Sequence, residues 1–195
     1  MKPILIAMGY NVVGFWPWSL NNQTQCNNTK LGTAVFIQGT VISGYTTLIK
    51  HSLQPVNSNG QDFAMVCRLA QNIGFRYFGC STHMMPTPRD GSVSAEAQIL
   101  DSFSWWVNSS WSAYSTVFSG DFNHTYPTST GAQQWAFIAH EMHLPTLTQT
   151  HIHNGTSEKI DYSFAGRGRF GRGTVQACVW LSNSDHKYCV GDFTI

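Results

Sequence analysis

The feature that most constrains this chain is a β-type run that ends in paired polar groups. Thr116-Val117-Phe118 leads into Ser119-Gly120-Asp121-Phe122-Asn123, and a turn-rich segment, His124-Thr125-Tyr126-Pro127-Thr128, follows. Side chains alternate along a strand with period 2, so Asp121 and Asn123 point to the same side at the strand's end. Two other polar triplets sit at similar places. Ser81-Thr82-His83 closes an upstream run, and Ser184-Asp185-His186 precedes the last one. Strand ends and loops are where functional groups collect on a rigid scaffold.

The rest of the chain supplies that scaffold. Residues 4–16 are apolar and read as a strand broken by Pro17. Residues 19–31 read as a polar loop. Short β-like runs follow at 33–38, 47–53, 62–70 and 75–82, with turns at Asn57-Ser58-Asn59-Gly60 and Asn72-Ile73-Gly74. Ser94 then caps a helix with Glu96 in its first turn. Ile99, Leu100, Phe103, Trp106 and Val107 continue it at helical spacing. A second helix is expected over 131–142, with Trp135, Ile138, Ala139 and Met142 on one face. Strands are expected at 116–122, 159–165, 174–181 and 187–195. No repeat or linker divides the 195 residues, so residues 1–195 read as a single domain. Strands with two inserted helices make an α+β sandwich.

Composition narrows the chemistry. Charged residues make up 11% of the chain, against an average of roughly 25%, and polarity comes instead from Asn, Gln, Ser and Thr. The net charge of +1 excludes a global field that would steer the protein to nucleic acid or membrane, so any phosphate affinity is local. No apolar run reaches the roughly 18 residues of a spanning helix. The five cysteines contain no C-x-x-C pair, which argues against zinc-ribbon and redox motifs. Cys178 and Cys189 flank the Ser-Asp-His loop; a disulfide and two core thiols both fit there. Sequons at Asn22, Asn27, Asn108, Asn123 and Asn154 and the hydroxyl- and amide-rich surface lean toward a secreted, extracellular protein. No small-residue cleavage site follows Met1–Met8, so no signal peptide is assigned.

The Thr-His, Gly-Asp-Phe-Asn and Ser-Asp-His strand ends, in that order, resemble the motif set of the endonuclease/exonuclease/phosphatase superfamily, the DNase I-like metal-dependent phosphoesterases. The likeness is strongest over residues 32–195. It implies a four-layer α/β/β/α sandwich of two mainly antiparallel sheets. It also implies a nuclease-like hydrolase of phosphodiester or phosphomonoester bonds, supported by Mg²⁺ or Mn²⁺, with nucleic acid among the substrates. In this resemblance His186 is the general base, a task that suits a neutral-range imidazole. Asp161, in Ile160-Asp161-Tyr162, orients it. His83 contacts the phosphate or protonates the leaving group. Asp121 and Asn123 match the Asp-x-Asn pair for metal or water activation and for phosphate binding. Asp185 joins Asp121 at the metal.

The chain departs from that pattern at its start. The family's Leu-Gln-Glu glutamate is a principal metal ligand, yet no acidic residue precedes Asp62. One alignment sets Gly9-Tyr10-Asn11-Val12 on the family's first-strand Asn motif and Gly39 at the Glu position. Only 43 residues then separate Gly39 from His83, too few for the intervening elements. The preferred alignment makes Leu31-Gly32-Thr33-Ala34-Val35-Phe36 a later strand, which renders the domain N-terminally incomplete. A hard cation needs only one or two carboxylates plus substrate phosphate, so a weakened site is the expectation. The alternative is a truncated or catalytically impaired member acting as a binding scaffold.

Three other features carry rival readings. His140-Glu141-Met142-His143 resembles a zinc helix but has Leu144 where the second histidine belongs. His143, His151 and His153 are an alternative zinc set. Arg167 to Gly173 reads as a solvated basic hairpin in preference to a nucleic-acid contact with Phe170 stacking on a base.

Overall fold

The computed structural model describes residues 6–17, 32–50, 64–72, 74–83, 115–121, 123, 139–143, 149–166, 173–180, 182 and 184–193. The described residues are mostly strands in sheets. The strands are β1 (Tyr10–Pro17), β2 (Gly32–Gln38), β3 (Thr40–Lys50), β4 (Ala64–Asn72), β5 (Phe75–His83), β6 (Ser115–Asp121), β7 (Ala139–His143), β8 (His151–His153), β9 (Thr156–Glu158), β10 (Asp161–Gly166), β11 (Gly173–Trp180) and β12 (Lys187–Phe193). Eight of them form one sheet in the order β12-β11-β7-β10-β6-β5-β4-β3. β1 and β2 form an antiparallel pair of their own, and β8 and β9 form a short hairpin.

The central sheet is antiparallel except at two places. β5 and β6 run parallel, as do β7 and β11. A parallel neighbour requires a long connection, and residues 84–114 supply it between β5 and β6. The β1–β2 pair lies over β4 and β5. A Cβ added at Gly79 would meet Ile37 Cδ1 at 3.0 Å and Val35 Cγ2 at 3.8 Å, so the glycine lets β2 approach closely. Val35, Ile37, Val66 and Ala70 make the core there, flanked by Val41 and Tyr77. By strand alternation, Phe78, Cys80 and Thr82 bury themselves on the opposite face of β5.

Cys67 and Cys80 stand opposite each other on β4 and β5 and are joined as a disulfide. Cys178 and Cys189 do the same across β11 and β12, which resolves the open choice for that pair. The sequence separations of 13 and 11 residues are short loops, each worth about 3 kcal/mol in the chain-entropy view.

Several expectations change. The helix expected over 131–142 does not hold at its end, because Ala139–His143 is a strand paired with both β10 and β11. Two ladders of backbone hydrogen bonds outweigh the weak helical spacing of four apolar residues. Residues 131–138, and the helix expected over 94–107, lie outside the described residues. The zinc-helix reading of His140 to His143 falls with the helix. β10 and β11 are not a hairpin either, since β7 lies between them.

The alignment that gave Gly39 the metal ligand's position also fails. Gly39 sits beside Gln71 and Asn72, and Asn11 Nδ2 donates to its carbonyl at 2.9 Å. Gln71 pairs with Arg76, and His83 lies seven residues further along β5. At roughly 3.3 Å per residue, Gly39 is on the order of 20 Å from His83, at the other end of the sheet.

Candidate active site

His83 closes β5 and Asp121 closes β6, and the parallel register sets them side by side. β10 runs antiparallel to β6, and its first residue, Asp161, pairs with Asp121. Partners on neighbouring strands share a face. His83, Asp121 and Asp161 therefore form one row across three strands, on the face that β2 covers further down.

A glycine makes that register possible. Gly120 has φ +154°, and a Cβ there would overlap the Thr82 carbonyl of β5. Any other residue would push β6 away from β5 just before Asp121. Next, Asn123 takes φ +50°, a conformation asparagine tolerates. Its backbone N–H donates to Asp121 Oδ1 at 2.8 Å. Asp121 Oδ2 is turned to the histidines, 3.5 Å from His83 Nε2 and 3.8 Å from His186 Nε2.

His186 arrives from outside this row. Its Nδ1 lies 2.8 Å from Asp161 Oδ2. With a carboxylate there, Nδ1 carries the proton and donates, which leaves Nε2 as the acceptor of the neutral ring. The backbone N–H of His186 donates to Ser184 Oγ at 3.0 Å. An isolated bridge then pairs His186 with His151 on β8.

Thr150 ties these segments together. It is 1% exposed. Its Oγ1 accepts from the N–H groups of Ile160 (3.2 Å) and Asp161 (3.1 Å). Its N–H donates to Glu158, and its carbonyl accepts from Lys187 at 2.7 Å. One threonine thus fixes the backbone beside both Asp161 and His186. Sequence reasoning missed it. It also missed the β8–β9 hairpin, although Asn154-Gly155 is the usual signal for a two-residue turn with both φ positive; the angles are +49° and +80°.

The electrostatics divide the site. Burial pushes Asp121 up to about 7, reinforced by the Asp161 and Asp185 charges and opposed by the Asn123 N–H and His186. Burial, then His186, pushes His83 down to about 4. At neutral pH His83 is therefore neutral, and its contact with Asp121 is no ion pair. The hydrogen bond to Asp161 holds His186 above its ordinary value. A cation bound beside Asp121 would offset that desolvation and draw its pKa back down. Asp121, Asp161 and His186 offer ligand atoms within 4.8 Å of one another. The two carboxylates of that set fit a hard divalent ion. Asp185, expected to partner Asp121, is 62% exposed and comes within 3.6 Å of His151. Of the rival zinc set, His151 enters this cluster.

No protein-family profile and no curated protein sequence matches the chain. Solved structures do. The human Nocturnin catalytic domain, determined with bound sulfate, is 17% identical with a TM-score of 0.66, covering 99% of this chain and 76% of that one. An endonuclease/exonuclease/phosphatase from Bacteroides vulgatus is 14% identical with a TM-score of 0.67, covering 96% and 77%. A mannosyl-6-phosphatase from Bacteroides thetaiotaomicron is 14% identical with a TM-score of 0.64, covering 100% and 80%. The chain has the endonuclease/exonuclease/phosphatase, or DNase I-like, fold.

Proposed function

We propose that this chain, built on the endonuclease/exonuclease/phosphatase fold, is a metal-dependent phosphoesterase that cleaves phosphodiester or phosphomonoester bonds. The observation that carries the reading is His186, whose Nδ1 is held by Asp161 at 2.8 Å while its Nε2 faces Asp121 at 3.8 Å. Asp161 fixes the tautomer and steadies the imidazolium, so Nε2 accepts the proton of the attacking water. His83, neutral and beside Asp121, hydrogen-bonds the phosphoryl group; handing a proton to the leaving oxygen would require its charged form, which burial disfavours. Asn123, at the rim of β6, is the carboxamide that contacts phosphate. Asp121 and Asp185 are the residues that would hold Mg²⁺ or Mn²⁺, which when bound neutralises phosphoryl charge and orients water.

The finer architecture belongs to the same reading: four layers with helices outside, and the family's Asn and Leu-Gln-Glu strands not contained in these 195 residues. Sugar phosphates and nucleic acid are the substrate classes in view. Secretion is supported by two disulfides, which persist in oxidising compartments, and by the exposed Asn154 sequon. A binding scaffold is the second reading, favoured by the lack of any acidic residue before Asp62.

The test is hydrolysis of bis-p-nitrophenyl phosphate, p-nitrophenyl phosphate and plasmid DNA with Mg²⁺ or Mn²⁺. The expected result is turnover that chelation abolishes and that His186→Ala lowers by about 100-fold or more, with an unchanged circular dichroism spectrum. Full activity in His186→Ala would remove its role as base. An inactive but folded wild type would leave the scaffold reading.

A further inference from the structure

Beside the carboxylate row lies a second set of ligands of a different kind. His151, Asp185 and His186 also present ligand atoms within 4.8 Å of one another. His151 Nε2 is 3.6 Å from Asp185 Oδ2, and the two imidazole rings lie 4.6 Å apart, tilted by 40°. We propose that these three residues form a binding site for a borderline divalent ion of the Zn²⁺ or Co²⁺ class, one that adds two imidazoles to Asp185 where the site proposed for Mg²⁺ pairs Asp185 with Asp121.

Four observations support the assignment. Two imidazoles and one carboxylate suit Zn²⁺ and Co²⁺, whereas Mg²⁺ prefers oxygen alone. The backbone prearranges the set: His151 bridges His186, and the N–H of Ile152 donates to the Asp185 carbonyl at 2.9 Å. His186 Nδ1 is hydrogen-bonded to Asp161, the outer carboxylate that metal-bound histidines commonly have, and this leaves Nε2 for the ion. Finally, His151 has 13% and Asp185 62% of its side chain exposed. The imidazole is thus held in place while the carboxylate can swing in. Ligands at about 2.0–2.2 Å from a tetrahedral ion sit roughly 3.3–3.6 Å apart, a spacing that His151 Nε2 and Asp185 Oδ2 already have at 3.6 Å.

His186 and Asp185 belong to both arrangements, and with Nδ1 bonded to Asp161 the atom His186 has left to offer is Nε2. If, as proposed above, that atom accepts the proton of the attacking water, an ion held on the histidine side removes the base. Zn²⁺ then inhibits the Mg²⁺-supported reaction. This consequence rests on the function proposed above; the binding itself does not.

The experiment titrates Co²⁺ into the full chain and follows its visible absorption. The expected result is one equivalent with the intense bands of a four-coordinate site, displaced by an equivalent of Zn²⁺ and only by a large excess of Mg²⁺, which competes for Asp185 alone. His151→Gln, which leaves the carboxylate row intact, should weaken Co²⁺ binding at least about tenfold, the loss typical of even an outer-shell partner. Asp185→Asn, at an exposed position, should weaken it without touching the fold. In parallel, Zn²⁺ should inhibit Mg²⁺-supported hydrolysis of bis-p-nitrophenyl phosphate by wild type, and His151→Gln should relieve the inhibition. Absence of a four-coordinate spectrum, or equal Co²⁺ affinity in both folded variants, overturns the site. If Mg²⁺ supports no hydrolysis, the phosphoesterase reading fails while the Co²⁺ titration still decides the metal site.

Discussion

His83, Asp121 and Asp161 sit on three paired strands of the central sheet, whereas His151, Asp185 and His186 sit on a three-residue strand and a loop. The first group owes its spacing to register. Many ladder hydrogen bonds on β5, β6 and β10 would have to slip together to move it. The second group depends on a few named bonds: the His186–Asp161 contact, the His151–His186 bridge and the bonds of Thr150. A sheet-built half cannot be adjusted by small changes but fails when its backbone is forced apart. A loop-built half can be loosened one bond at a time. The chemistry proposed here needs both, because the base lies on one half and its orienting carboxylate on the other.

The largest effect should come from breaking the sheet-built half. Gly120→Ala places a methyl against the Thr82 carbonyl, so β6 must separate from β5. The expected cost is at least about 3 kcal/mol by urea denaturation, in the range reserved for backbone strain and broken networks, together with loss of hydrolysis. Wild-type stability in this variant would mean that the register is not what holds Asp121.

Loosening the other half should cost less. Thr150→Val keeps the shape but leaves the N–H groups of Ile160 and Asp161 without their shared acceptor. The expected loss is about 1–3 kcal/mol. Because Thr150 positions Asp161 and His186 without touching substrate, kcat should fall while KM stays nearly constant, and Thr150→Ser should restore most of it. Equal falls in stability for Val and Ser, with kcat unchanged, would reduce Thr150 to a packing residue.

The smallest effect marks the sheet's tolerance. Ser119 and Ser163 share a hydrogen bond at 2.8 Å, two residues below the site on β6 and β10. Ser163→Ala should cost about 0.5–1.5 kcal/mol and leave turnover alone, because the ladder keeps the row in place. A large loss of turnover would show that the row depends on this side-chain tie.

How much of this was legible in the sequence follows the same division. His83, Asp121 and His186 stand out because polar triplets at strand ends break apolar runs, whereas Asp161 was legible only through its likeness to the family's Ile-Asp-Tyr motif; β2, β4, β5, β6, β10, β11 and β12 fell within a few residues of their expected places. β7 was read as the end of a helix, since four apolar residues at helical spacing carry no information about the two strands that will pair with them. β8 and β9 are three residues each, too short for alternation to register, so Asn154 stands out in the sequence only as a sequon. Thr150 was invisible for a deeper reason. A threonine's burial and its four backbone partners exist only once residues 149–166 have folded back on Lys187. The same folding brings His151 to His186.

The most direct test is the pH–rate profile of Mg²⁺-supported hydrolysis for wild type and Asp161→Asn. The hydrogen bond that His186 donates to Asp161 is the main influence holding His186 above its usual value, ahead of the opposing effect of burial. A base must be deprotonated to act, so the wild-type rate should rise with pH through a group titrating above about 6.5. In Asp161→Asn that rising limb should move to lower pH, and the plateau should fall as the imidazolium loses its partner. A limb that stays in place, or a plateau that survives intact, would contradict a mechanism built on the His186–Asp161 pair.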